Sequence, residues 1–300
     1  MIIGANLTGT YTYSDNENDP EGITIFQWYR ADDNNGTNEV AINGATSASY
    51  TLQAPDKDKY IVFEVTPVAQ SGTSPGSSVR SGYKGPIFQC GDTLIDGRDG
   101  QHYATIQIGD QCWMAQNLNI GTKINSSRLQ INNNVIEKYC YNDDVSNCST
   151  YGGLYQFLEA VQYSTLSNNS ICPTGWHLPS DYEWKILETQ LGMSPTDAWN
   201  TGWRGTDEGS KIAGNEALWQ DGALDQNPNF GVTGFNALPS GYFDPGISYN
   251  GINSNTIFWT TTQLSSSYFI YVRALNSNQS KIKRSYVYYY SALSIRCIKD

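Results

Sequence analysis

Charge is scarce in this sequence, and so are the side chains that most often carry chemistry. Only 16% of the 300 residues are Asp, Glu, Lys or Arg, against about a quarter in an ordinary globular domain. There are two histidines, His102 and His177, and no cysteine precedes Cys90. None of the six cysteines stands in a C-x-x-C pair, so the usual zinc-ligand spacing is missing. A Gly-rich phosphate loop, a G-x-S-x-G elbow and an H-E-x-x-H helix are all absent, which removes three common catalytic classes. No apolar run approaches the roughly 18–20 residues of a membrane helix, so no membrane insertion is expected. Lys and Arg together number 18 against 29 acidic residues, a net charge of -11. That balance speaks against a nucleic-acid partner. The opening MIIGANLTGT has neither the charged stretch nor the long apolar stretch of a signal peptide. Two readings stay open, a piece of a larger exported protein or a virion component.

What is present is aromatic: 21 Tyr, 8 Trp and 9 Phe, or 13% of the chain. That is enough material for a core, and 300 residues suit two domains. Charge is unevenly spread. Residues 1–86 carry a net -5, residues 87–245 a net -11, and residues 246–300 a net +5 with Asp300 as their one acidic residue. An even cysteine count in a Lys-poor chain fits disulfides and an oxidising compartment. Six cysteines leave the connectivity open. The expected pairs are Cys90–Cys112, Cys140–Cys148 and Cys172–Cys297.

Residues 1–86 read as short strands at regular spacing: Leu7–Tyr13, Ile23–Arg30, Glu39–Ile42, Ser49–Leu52, Tyr60–Val68 and Ser78–Tyr83. The segments between them, such as DNENDPEG and SGTSPG, are turn chemistry. This is the pattern of an all-β sandwich. Phe26-Gln27-Trp28-Tyr29 is similar to an immunoglobulin C strand with its core Trp, and Asp58-Lys59-Tyr60 to a tyrosine corner. The domain resembles the cysteine-free immunoglobulin-like repeats of bacterial surface proteins, which implies a spacer ending at Gly85-Pro86. Its acidic loop, Asp15, Glu17, Asp19 and Glu21, is either a solvated turn or a Ca²⁺ site.

From Phe88 the texture changes. Thr93–Ile95, DGRDG and His102–Ile108 read as a hairpin. Tyr151–Tyr163 has helical spacing of Leu154, Phe157, Leu158 and Val161. Pro179–Leu191 is a second helix, opened by a Ser180/Glu183 capping box and closed by Gly192. Strands are expected at Thr256–Thr262, Phe269–Leu275, Ile282–Tyr289 and Ser294–Ile298. The series Tyr103–Gly109, Cys112-Trp113-Met114, Tyr151-Gly152-Gly153, Cys172-Pro173-Thr174-Gly175-Trp176-His177-Leu178-Pro179 and Ser294-Ile295-Arg296-Cys297-Ile298 resembles the Fibrobacter succinogenes major paralogous domain over about residues 90–300. That family groups with C-type-lectin-like and formylglycine-generating-enzyme-like folds. The resemblance implies an α+β C-type-lectin-like domain over residues 87–300, exported to the bacterial surface. His177 falls inside a structural motif. Trp176, Trp184, Trp203 and Trp219 read as core before they read as sugar platforms. Calcium at Asp207–Glu208 or Asp221–Asp225 is a family-level option; no other cofactor is implied.

Gly246–Ser291 is dense in Tyr, Ser and Asn, as in Ser265-Ser266-Ser267-Tyr268. These are the residues of antibody-like paratopes. They alternate with a framework of Phe258-Trp259, Arg273, Leu275, Arg284 and Ile295-Arg296-Cys297. The region resembles the C-terminal part of C-type-lectin-like variable proteins of diversity-generating retroelements. That resemblance implies a ligand-binding surface of Tyr249, Asn250, Asn253, Asn255, Tyr268, Asn276, Asn278, Tyr286, Tyr288 and Tyr290. The expectation is a non-catalytic binding protein on a cell or virion surface, with a protein or glycan on another cell or host surface as partner. A structural filament component and a glycan-active enzyme are the alternatives.

Overall fold

Turn-forming residues interrupt the first ninety positions every few residues, so the strands between them stay short. A computed structural model describes residues 1–164, 170–246, 248–265 and 268–300. The chain forms two units, Met1–Asp92 and Thr93–Asp300. The first has strands β1 (Asn6–Thr8), β2 (Ile25–Ala31), β3 (Val40–Ala41), β4 (Ser49–Thr51), β5 (Tyr60–Thr66) and β6 (Val79–Arg80). They form an antiparallel sheet ordered β3-β2-β5-β6 and a separate β1-β4 pair. Trp28 is the centre of the core, with its ring 4.7 Å from Phe63 and 5.9 Å from Tyr50. Leu52, Ile61, Val65 and Ile87 pack around it. The expected strand Leu7–Tyr13 stops at Thr8, because Gly9 then crosses the Phe63 ring with no room for a Cβ. The buried tyrosine hydroxyl is that of Tyr50, which donates to Asp56 at 2.6 Å, while Asp56 also pairs with Arg30 at 2.8 Å. Tyr60, expected at the corner, is half-buried.

The second unit opens with β7 (Leu94–Ile95) and β8 (His102–Tyr103), paired across DGRDG as the turn residues predict. Residues Thr105–Ile108 do not extend that hairpin. They form β9, which turns at Gly109 into β10 (Gln111–Met114). Two short parallel strands follow, β11 (Thr122–Lys123) and β12 (Glu137–Lys138), then α1 (Val145–Tyr151). The helix expected over Tyr151–Tyr163 does not form as one piece. Gly152 (φ 84°) ends α1, Tyr155–Gln156 become β13 by pairing with Leu293 and Ala292, and α2 spans only Phe157–Ala160. Positive φ at Gln162 and Tyr163 prevents its continuation. Sheet pairing overrode the helical spacing there.

Next come β14 (Trp176–His177), α3 (Asp181–Gln190), α4 (Pro195–Trp199), β15 (Gly202–Arg204) and α5 (Glu208–Ile212). The α3 capping box is reciprocal. Ser180 Oγ accepts from the Glu183 amide at 3.2 Å, and Glu183 Oε2 accepts from the Ser180 amide at 2.7 Å. The last strands are β16 (Ser240–Asp244), β17 (Ser248–Ile252), β18 (Asn255–Gln263), β19 (Phe269–Asn276), β20 (Gln279–Tyr288), β21 (Ala292–Leu293) and β22 (Ile298–Lys299). The expected strand Ser294–Ile298 does not form as one: Ser294 makes an isolated bridge to Phe258, residues 295–297 are in no strand, and Ile298 opens β22. The larger sheet is ordered β13-β21-β16-β18-β19-β20-β15, and a smaller one β14-β22-β10-β9. The unit is mainly sheet; among the described residues only α3, with 10 residues, exceeds two turns.

Trp113, Trp184, Phe235 and Phe258 interlock in its core, with centroids 5.0 to 6.2 Å apart. Arg296 is buried beside them. Its guanidinium donates to Asn117 Oδ1 at 2.6 Å, to the Met114 carbonyl at 3.0 Å and to the Asn236 carbonyl at 2.6 Å, and sits 4.5 Å over the Phe235 ring. Cys140–Cys148 and Cys172–Cys297 are paired as expected. Cys90 and Cys112 are disulfide-bonded too, and no cysteine is free. The Cys172–Cys297 bond closes a loop of 125 residues and the Cys140–Cys148 bond one of 8. Loop-closure entropy gives about 5 and about 2.5 kcal/mol respectively. Chemical denaturation of the two double-Ala variants should therefore show the Cys172–Cys297 deletion costing roughly twice as much.

Candidate functional site

From Phe269 to Ala274 the β19–β20 ladder keeps its register without a break, so residues two apart there share a face. Its register sets Phe269 opposite Tyr288, Tyr271 opposite Tyr286, and Arg273 opposite Arg284. One face therefore runs from two aromatic rungs to a rung of two arginines. The aromatic end is open to solvent: in the rungs Tyr286 is 47% exposed, Tyr288 42% and Phe269 39%, and just beyond the strands Tyr268 is 67% and Tyr290 41%. Their rings meet edge to face. Phe269 lies 5.7 Å from both Tyr286 and Tyr288, at 78° and 61°, and Tyr271 lies 6.5 Å from Tyr286 at 88°. Tyr289 stacks on Tyr290 at 4.3 Å, and their hydrogen bond pushes the Tyr289 hydroxyl up to about 12. Quadrupole geometry favours such contacts.

The arginine rung is buried under α3. Two cations directly opposite each other repel, and Asp181 resolves this by accepting from Arg273 and Arg284, each at 2.8 Å. Its second oxygen takes Arg284 Nη2 at 2.9 Å and Lys185 at 2.6 Å. Two turns on, Glu188 accepts from Arg273 and from Arg204 of β15, both at 2.6 Å. Burial raises the Asp181 carboxyl, but the bonds to Arg284, Arg273 and Lys185 outweigh it and hold the group well below its ordinary range. Four cations thus share two carboxylates. The excess is met by two rings: Lys185 Nζ lies 3.3 Å from the Trp199 ring centroid, and the Arg284 guanidinium 4.1 Å from that of Tyr271. A cation over a ring face is attracted by the quadrupole. Tyr271 and Trp199 are in this way pinned from behind, and Trp199 is still 62% exposed.

The ten residues expected to form one binding surface separate into three groups. Tyr268, Tyr286, Tyr288 and Tyr290 are in the aromatic face. Asn255 and Asn276 pair at the opposite end of the β18–β19 ladder, where Asn276 Nδ2 donates to Asn255 Oδ1 at 2.8 Å. Asn253 and Asn278 are exposed turn residues at that same end. Tyr249 is half-buried on β17; its hydroxyl donates to Asp143 at 2.9 Å and its ring stacks on Phe243 at 4.4 Å. Asn250 pairs with Tyr242 on the same hairpin. Tyr249 and the Asn pair hold structure where a contact surface was expected. Ser266 and Ser267 lie outside the described residues. The face also includes Phe269 and Tyr271, which the Tyr/Ser/Asn pattern overlooked, with Tyr289 stacked on Tyr290 beside it. The period-two series Phe269-x-Tyr271-x-Arg273 and Arg284-x-Tyr286-x-Tyr288 carries that information.

The positive balance of the last 55 residues is only in part a surface property. Arg273, Arg284 and Arg296 are buried, and only Lys281, Lys283 and Lys299 remain accessible in some degree. Trp176, Trp184 and Trp219 are core, while Trp203 is half-buried with Lys283 Nζ 5.8 Å from its centroid. The acidic loops are engaged locally. Asp15 accepts from the Glu17 amide at 2.9 Å, Asp207 pairs with Lys211 at 2.8 Å, and Asp225 accepts from the Gly222 amide at 2.7 Å. Among the described residues no group of three or more His, Cys, Asp or Glu is placed to hold a metal ion, and no helix is long and apolar enough to cross a membrane.

His177 is held between Glu183 and Asp300, at 2.7 and 2.6 Å. Glu183 first, then Asp300, raise the imidazole above its ordinary value.

A disulfide-tied, β-rich unit that presents an aromatic sheet face follows a separate all-β unit: this is the class the geometry defines. Residues 106–299 match the model of the Fibrobacter succinogenes major domain, and the chain belongs to that family. Residues 1–81 match the model of the AIR9 A9 domain, which agrees in part with the immunoglobulin-like reading. No curated protein and no solved structure matches the chain.

Two outcomes follow from the charge cluster and the histidine. Glu188→Gln leaves Arg204 without a carboxylate and Arg273 with Asp181 alone, and should lower the stability of this unit by about 3–5 kcal/mol in urea. Because the folded imidazole titrates above its unfolded value of about 6.5, its stabilisation is complete below that pH and fades as pH rises through the folded value. Denaturation midpoints of the parent protein should fall on that alkaline side, and His177→Gln should flatten this part of the profile.

Proposed function

We propose that this is a non-catalytic, extracellular ligand-binding protein of a cell or virion surface. In this reading a C-type-lectin-like second unit binds a protein or glycan on another surface, and the immunoglobulin-like first unit serves as spacer. The observation that carries the reading is the exposed aromatic face of Tyr268, Phe269, Tyr286, Tyr288 and Tyr290, set on a ladder anchored from behind by Asp181. Stiff aromatic side chains give contact area at low entropic cost, and contiguous apolar patches on soluble proteins commonly mark interaction sites. Disulfides support an oxidising location.

Diversification by a retroelement is part of the same proposal. Its support is the division of the region by burial. The framework residues Phe258, Trp259, Arg273, Leu275, Arg284, Ile295, Arg296 and Cys297 are buried, whereas Tyr268, Tyr286, Tyr288 and Tyr290 are not. Substitution at the exposed set would leave the core intact. A near-identical template repeat beside a reverse-transcriptase gene is required in the encoding genome, and its absence would sink this part.

The binding proposal is tested with cell-surface and glycan screens. Tyr286→Ala, Tyr288→Ala and Tyr290→Ala combined should weaken any ligand found by about 2–4 kcal/mol, the range of hot-spot aromatics, with the unfolding midpoint unchanged. Asn276→Ala with Asn278→Ala, at the far end of the ladder, should bind as the parent does. Full binding by the triple variant would refute the site.

A further inference from the structure

The last strand of the larger sheet, β15, is too short to cover β20. β15 pairs only with Ile282, Lys283 and Arg284, whereas β20 continues to Tyr288 and pairs with β19 up to Phe269–Tyr288. The outer edge of Ser285–Tyr288 is therefore left without a strand, and among the described residues no other backbone pairs with Ser285, Tyr286 or Val287. Exposed edges are normally blunted by charge, proline, a bulge or a covering segment. Among the described residues none of these devices stands here: the open stretch is Ser-Tyr-Val-Tyr, and the two lysines of the strand, Lys281 and Lys283, precede it. Its exposed side chains, Tyr286 and Tyr288, are two of the rings of the aromatic face.

We infer that the ligand of this face is a polypeptide that docks an extended, uncharged segment onto β20 as an added strand. The inference rests on the binding reading above and narrows its ligand to one class. Three observations favour a polypeptide over a glycan. Unpaired backbone donors and acceptors spaced along a strand are matched by another strand's backbone. Beside the open edge, Tyr286 and Tyr288 meet Phe269, Tyr271 and Tyr268 edge to face at 61° to 88°, which makes a corrugated surface there, suited to interdigitating side chains and not a flat platform for a pyranose. No carboxylate or cation stands within the open stretch itself, so a neutral segment suits it best. Backbone pairing supplies affinity, and contact with the exposed Tyr286 and Tyr288 rings selects the alternate side chains.

Amide hydrogen exchange on the full-length protein, read residue by residue by NMR, tests this. In the free protein the outward-facing amides of Ser285–Tyr288 should exchange freely while those beside β15 are slowed. The probe is the blocked hexapeptide Thr-Val-Tyr-Val-Thr-Val at millimolar concentration. It should slow the outward amides about tenfold or more, and a twin N-methylated at alternate residues should not. Outward amides already slow in the free protein would overturn the inference, since the edge would then be covered. Equal action of the N-methylated twin, or no slowing by the peptide, would overturn it as well. Cellohexaose shifting the Tyr286 and Tyr288 ring signals while the peptide gives no protection would overturn strand docking and leave the binding face standing. Full protection in the combined Tyr286→Ala, Tyr288→Ala and Tyr290→Ala variant would support strand docking and refute the aromatic contribution.

Discussion

Two carboxylates on one helix face organise the second unit. Asp181 and Glu188 lie two turns apart on α3, and between them they hold Lys185 of the same helix, Arg204 of β15, Arg273 of β19 and Arg284 of β20. The helix cannot shift along the sheet without stranding a buried charge, and an uncompensated interior charge is among the most expensive faults a fold can carry. The surplus of cations explains why two rings sit where they do. Tyr271 and Trp199 are part of the electrostatics of the interior on one side and part of the surface on the other. Rigidity of the aromatic face is thus a consequence of charge compensation beneath it.

The same cluster changes the meaning of the charge distribution. A net +5 over residues 246–300 suggests an anion-binding surface, but two of its arginines are consumed by α3 and a third is bonded to Asn117 and backbone carbonyls. What reaches solvent at the aromatic end is nearly neutral. Segment charge is a property of the chain; surface charge depends on which groups the fold turns inward.

Much of the architecture is legible in sequence wherever a local signal has one physical outcome. Ser180 and Glu183 specify a helix start, DGRDG specifies a turn, and Gly192 an end. The family resemblance extends over the same region that the family model matches. The signals that misled are those with two outcomes. The apolar spacing of Leu154, Phe157, Leu158 and Val161 suits a helix, yet Tyr155 and Gln156 were claimed by β21, a partner more than a hundred residues away. Tyr249 belongs to a Tyr- and Asn-rich stretch by composition, but Phe243 and Asp143 fix it as packing. Asn255 and Asn276 satisfy each other. Composition identified the aromatic strand; only register could say which rings share a face.

Strand β22 occupies an interior place in its small sheet. It lies between β14 and β10, with Trp113 paired to Ile298 and Trp176 to Lys299, and Cys297 is tied to Cys172. The consequence is kinetic. The β9–β10 hairpin is local, but β14 has no partner and β10 lacks its second neighbour until a segment some 120 to 185 positions downstream arrives, so the four-stranded sheet cannot be completed from local contacts. Folding dominated by such distant pairings is slow. The order of events should run from the local helix α3 and the β18–β20 meander to a late closure by β22, with oxidation of the cysteines sealing a topology that the chain reaches last.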